Sequence, residues 1–170
     1  MPKSHFIRLL AYLLLTIYSA SSFAWGSHSH RVIAQLAEAE LTADTRSILT
    51  ELLGGSSLAD ASLWADQMRS AKDNPEFWSY DYAANWHYAN IAAGQSYASS
   101  RKNPRGDAWL ALLACTAILQ NREPDPGPVK AGLQLYLGSN LHTAEAKTFA
   151  LKFLLHFLGD LHQPLHLGYL

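Results

Sequence analysis

Sulfur and charge are both scarce in this chain. It holds one cysteine and two methionines in 170 residues. The single Cys115, set in WLALLACTAIL, excludes an internal disulfide. Its apolar helical surroundings make it an inert core thiol. Charged residues are 16% of the total and the formal net charge is -1. That balance excludes a basic strip able to wrap a polyanion, so any affinity for one has to come from a local site. No apolar run reaches the roughly 20 residues a comfortable membrane span requires. Strand-like alternation, internal repeats and low-complexity tracts are also missing from the sequence.

Hydrophobic residues, by contrast, make up 49% of the chain, enough for a packed core. Residues 1–24, MPKSHFIRLLAYLLLTIYSASSFA, have the layout of an export signal. Lys3 and Arg8 supply the positive end, Leu9 to Tyr18 the short apolar segment, and Ser22-Phe23-Ala24 the small residues before cleavage. An uncleaved membrane anchor is the other reading of the same stretch. Export leads to a periplasmic or secreted protein whose mature chain starts at Trp25 and forms one domain over residues 25–170.

The hydrophobic periodicity is helical nearly throughout, and the expected class is all-α. Helices are expected over His30–Leu41, after an N-cap at Thr42 as far as Gly54-Gly55, over Leu58–Arg69, over Gly106–Asn121, over Val129–Leu137 and over Thr143–Leu161. Pro164 stops the last of these, because proline cannot continue a helix. Residues 74–105, rich in aromatics, Asn, Gly and Pro, read as an ordered loop region.

Polar residues interrupt the apolar pattern in four places. In HFLGDLHQPLH, His156 and Asp160 are i and i+4 and share a helix face. An imidazole and a carboxylate so placed either hydrogen-bond each other or grip one metal ion. His166 follows the Pro164 break, where the chain can bend back to the same pocket. In WGSHSH, the amine and carbonyl of a mature Trp25 can chelate a metal beside His30; otherwise the tryptophan packs and the histidine is a neutral group in a first helical turn. In WADQMR, Asp66 and Arg69 are i and i+3, forming either a surface ion pair or a ligand next to a phosphate donor. In WHYAN, His87 between two aromatics is either a packed core group or a ligand beside a stacking wall.

Taken in order, WGxxxH, WADQMR, WHYAN and HFLGDLHQPLH resemble the zinc-dependent single-strand nuclease and 3′-nucleotidase family of the S1/P1 type, within the zinc phospholipase C superfamily. The resemblance runs from Trp25 to the end of the sequence. It implies a mostly helical fold with three zinc ions in a cleft. Asp66, His87, His156 and Asp160 would hold one ion; Trp25, His30 and Asp160 a second; His166 would contribute to a third. In the family that third ion takes two further ligands from a later segment, so the resemblance marks this chain as C-terminally truncated. Asp66 and Arg69 would be the catalytic pair, with Arg69 beside the scissile phosphate. Tyr88 would stack a base and Asn90, often an aspartate in the family, would read its edge. The implied substrates are single-stranded DNA and RNA, cut to 5′-phosphorylated products, together with 3′-nucleotides. No protein partner is implied, nor any stable membrane association after signal cleavage. Two rival readings are a zinc phospholipase C, where the N-terminal tryptophan and first histidine lie further apart, and a fragment that binds zinc without catalysis. His28, His142 and His162 have no implied role, and of these His162 is expected to support a ligand by hydrogen bonding.

Overall fold

A computed structural model describes residues 26–70 and 83–168. The export signal, Trp25 and residues 74–82 of the expected loop lie outside the described residues. Seven α-helices are described: α1 (Ser27–Ala39), α2 (Ala43–Leu52), α3 (Leu58–Ala61), α4 (Trp64–Ser70), α5 (Ala108–Leu119), α6 (Pro128–Leu137) and α7 (Ala144–Leu161). Two 3₁₀ turns, Ala84–His87 and Pro164–Leu167, complete the list, and no strand occurs among the described residues. The class is all-α, as the periodicity predicts.

Most of the helix starts are set by single side chains. Thr42 Oγ1 accepts from the Thr45 amide, Ser57 Oγ from Asp60, an Asp107 carboxylate oxygen from Leu110 and Thr143 Oγ1 from Ala146. Each cap satisfies an amide that a helix start leaves without an intrahelical partner. The Asp107 cap explains why α5 begins after Gly106 and not at it. The expected helix over Leu58–Arg69 is instead two helices, α3 and α4, broken at Ser62 and Leu63. Ser62 Oγ bonds back to the Ala59 carbonyl at 2.8 Å, and the Ser62 carbonyl accepts from His156 Nδ1 at 2.7 Å. Bonds from side chains to the backbone here compete with the regular helix.

The long helix α7 is the axis of the fold, with α1, α2, α3, α4 and α5 all packed against it. Its Phe149, Phe153 and Phe157 recur every fourth residue and pack in sequence as tilted pairs, with ring centroids 4.7 and 4.8 Å apart. Trp64 and Trp86 meet Phe153 edge-on. A second apolar cluster joins Ala34, Leu53 and Leu58 to Leu151 and Leu155 on another face of α7. Cys115 is buried in the main core, and burial pushes its thiol pKa up to about 12. It is inert, as its sequence setting predicts.

At its C-terminal end α7 carries polar residues into this apolar interior. His156 and Asp160 are both buried, and the 3₁₀ turn after Gln163 brings the chain back across them. The Ala89 amide donates to the His166 carbonyl at 2.8 Å, and the Ala108 amide to the Tyr88 carbonyl at 3.1 Å. These two bonds tie residues 87–89 to the end of α7 and to the start of α5.

Candidate metal centre

One carboxylate organises the site. Asp160, only 2% exposed, has two oxygens that face different imidazoles. Its Oδ2 lies 2.9 Å from His87 Nδ1 and 3.2 Å from His156 Nε2. Its Oδ1 lies 3.4 Å from His30 Nε2 and 3.2 Å from His166 Nδ1. Four elements supply these groups: α1 gives His30, the first 3₁₀ turn His87, α7 both His156 and Asp160, and the second 3₁₀ turn His166. Asp66 on α4 stands at the edge, its Oδ1 3.8 Å from His156 Nε2. Within each of two sets, His30/His156/Asp160 and Asp66/His87/His156, ligand atoms lie within 4.8 Å of one another.

The electrostatics follow from burial and charge. Burial acts to raise the Asp160 pKa, but hydrogen bonds from His156, His30 and His87 outweigh it and hold the carboxyl far below the usual range. Burial acts to lower the His156 pKa, yet its bond to Asp160 and the carboxylate charge leave the net shift upward. For His87 burial dominates, against the opposing bond to Asp160, and its pKa is lowered.

The donor set fits a metal ion on an observation internal to the site. His156 Nδ1 donates to the Ser62 carbonyl, so in the neutral ring Nε2 is a bare lone pair. That lone pair faces Asp160 Oδ2, His87 Nδ1 at 3.1 Å and the Asp66 carboxylate. A proton on His87 Nδ1, or a metal ion in its place, satisfies this focus. The buried Nδ1 atoms of His30 and His166 make no hydrogen bond among the described residues, although His166 Nδ1 stands 3.2 Å from Asp160 Oδ1. Imidazole and carboxylate donors at this density suit a transition-metal ion, zinc among them.

The other predicted residues fall around this cluster. Arg69 Nη2 lies 3.1 Å from Asp66 Oδ1, with the arginine side chain 59% exposed, so the ion pair is formed and the arginine faces solvent. Tyr88 and Asn90 line one cavity of about 340 Å³ together with Arg101, Asn103 and Asp107. The Tyr88 hydroxyl donates to Asn85 Oδ1 at 2.9 Å, and Asn103 Nδ2 donates to the same oxygen at 3.1 Å. His162 corrects an expectation. It is exposed, and its Nδ1 bonds to the Leu158 carbonyl one turn back on α7, so it supports none of the clustered side chains. His28 is exposed, and His142 pairs with Glu123 at 2.8 Å. Sequence reasoning missed Ser62 and Asn85. Their roles come from a carbonyl and an amide whose partners no local pattern announces, the break after α3 being the nearest signal.

A family model described as S1/P1 Nuclease matches residues 25–169. Endonuclease 2 of Arabidopsis thaliana is 26% identical over 170 residues, covering 97% of this chain and 53% of the relative. Endonuclease 1 of the same plant is 27% identical over 163 residues, covering 92% and 48%. Nuclease S1 of Aspergillus oryzae is 26% identical over 165 residues, covering 94% and 50%. The chain therefore spans about half the length of the relatives it matches. With a family match over nearly its whole length, the chain belongs to the S1/P1 nuclease family.

Proposed function

We propose that this chain carries the metal centre of a zinc-dependent phosphodiesterase that hydrolyses single-stranded DNA and RNA to 5′-phosphorylated products and removes the phosphate of 3′-nucleotides. The observation that carries the reading is Asp160, one buried carboxylate whose two oxygens serve separate imidazole sets. Asp66, His87, His156 and Asp160 would hold one zinc ion. His30 and the other oxygen of Asp160 would hold a second with the amine and carbonyl of Trp25, and His166 would serve a third. Bound zinc supplies Lewis acidity toward phosphate and brings the pKa of water near neutrality.

The chain's own residues divide the remaining work. The family names of the relatives support a nucleic-acid substrate, and the low charge of this chain leaves phosphate recognition to the centre and to Arg69. Arg69 offers a planar, permanently charged fork to a phosphate, and its pairing with Asp66 holds it at the edge of the cluster. Tyr88, steadied by Asn85, presents a ring on which an unpaired base can stack, and Asn90 offers an amide to the base edge. A base within a duplex is already stacked, so the same wall favours single strands. Export to the periplasm or beyond accords with the signal-like first 24 residues.

The test is hydrolysis by zinc-loaded protein of single-stranded DNA, RNA, duplex DNA, a 3′-mononucleotide and phosphatidylcholine in parallel. The expected order places single strands and the 3′-nucleotide well above duplex, with the phospholipid untouched. Intact single strands after prolonged incubation would end the nuclease reading, and release of a phosphorylated headgroup would favour a phospholipase.

A further inference from the structure

Gly159 sits in the last full turn of α7, buried, immediately before Asp160. Glycine inside a helix is intrinsically less favourable than alanine, because it gives up more backbone freedom on folding. The reason for accepting one here lies across the interface with α1. A Cβ placed on Gly159 would stand 2.1 Å from His30 Nδ1, 2.7 Å from its Cε1 and 3.2 Å from its Cγ. The first two separations are shorter than any real Cβ contact. The ring has no room to retreat, because it is 1% exposed and stacked on His156 with centroids 4.1 Å apart and planes 12° from parallel.

His30 also differs from His156 in how its ring is oriented. A metal-binding histidine ordinarily fixes its ring by donating the remote N–H to a carbonyl or carboxylate. His156 does so, through Ser62. The buried Nδ1 of His30 makes no hydrogen bond among the described residues. Among the described residues its Nε2 is aimed at Asp160 Oδ1 by that contact itself, by the stack on His156 and by the room left where Gly159 has no side chain.

We propose that Gly159 is a positioning residue for the His30 half of the centre. Its missing side chain is the notch that admits the His30 ring, and filling the notch displaces His30 from Asp160 while leaving His87 and His156 in place. The inference rests on the metal-centre reading above, and its test separates the two.

Four proteins decide it: the wild type, Gly159→Ala, His30→Ala and the double variant. Each is measured for its metal-free thermal midpoint and for its affinity for zinc against a competing chelator. Gly159→Ala is expected to lower the midpoint and to weaken the zinc that depends on His30 by about 10–100-fold, with tight binding at the His87 and His156 side retained. In the His30→Ala background the same substitution is expected to be neutral or stabilising, since the methyl group enters space the ring has left. Wild-type midpoint and zinc affinity in Gly159→Ala would overturn the proposal. So would an equal loss of midpoint in both backgrounds, which would mean that the glycine answers to a different neighbour. Should the single variant fail to fold, recovery in the double variant supports the proposal and continued failure refutes it. A wild type that binds no zinc would overturn the metal-centre reading and the metal half of this inference, while the metal-free midpoints still report on the contact between Gly159 and His30.

Discussion

His156 Nδ1 donates to the backbone carbonyl of Ser62 at 2.7 Å, and this one bond turns His156 Nε2 toward Asp160. The acceptor is main chain, so the ring's orientation does not depend on the serine side chain. Ser62→Ala should therefore leave zinc affinity within about twofold and cost about 1 kcal/mol of stability through the lost bond to Ala59. His156→Ala should abolish tight zinc binding. Chelator competition and urea melts on the two variants check this, and a large loss of zinc in Ser62→Ala would contradict it.

Asp160 faces both imidazole sets, and under the proposed function this makes its charge worth more than that of any single histidine. Asp160→Asn keeps the shape and removes the charge. It should weaken zinc by more than about 100-fold, above the range for losing a group that only supports a ligand. His30→Ala should weaken only part of the binding. Metal content after dialysis distinguishes them, and equal losses in the two variants would count against a bridging role.

The metal-free protein should show two histidines shifted in opposite directions. His156 is raised because Asp160 overcomes the effect of burial, and His87 is lowered because burial prevails. A raised histidine stabilises the fold fully below its unfolded pKa of about 6.5, and that contribution is lost as pH rises through the folded value. A lowered histidine acts in the other sense and destabilises the fold as pH falls below about 6.5. Asp160, held low, contributes stability above about pH 4 that disappears only in stronger acid. NMR titration of the imidazole protons should place His156 above and His87 below the ordinary value, and Asp160→Asn should bring His156 down. Zinc binding should release protons near pH 7, because the metal replaces the proton at this focus. Unshifted rings, or zinc binding without proton release, would contradict the charge assignment.

Asn85 holds the Tyr88 hydroxyl and is itself held by Asn103. Tyr88→Ala should raise KM for single-stranded DNA by about 5–150-fold, the equivalent of about 1–3 kcal/mol of stacking. Asn85→Ala, which frees the ring without removing it, should raise KM by a smaller factor and leave kcat nearly unchanged. Steady-state kinetics on a short oligonucleotide checks both, and a fall in kcat with unchanged KM would assign Tyr88 to a different role.

How far the sequence could be read depended on the range of the interaction. The cap at Thr42 and the stop before Pro164 act over a few residues, and the structure has them where the pattern puts them. The i,i+4 pair of His156 and Asp160 was legible for the same reason. The convergence of His30, His87 and His166 on that pair was visible only through resemblance, because no local spacing relates α1 to the end of α7. The break between α3 and α4 was not legible at all, since Ser62 turns its carbonyl to a histidine far along the chain. Gly159 gave the same kind of silence: its neighbour in space is His30, and a helical glycine reads only as a weak point until that ring is seen against it.

Sharing of Asp160 between two metal positions can be seen by anomalous diffraction at the zinc edge on crystals of the zinc-loaded protein. One peak is expected among Asp160 Oδ2, His87, His156 and Asp66, and a second beside Asp160 Oδ1 and His30. A single peak remote from Asp160, or no peak within bonding distance of either of its oxygens, would contradict it.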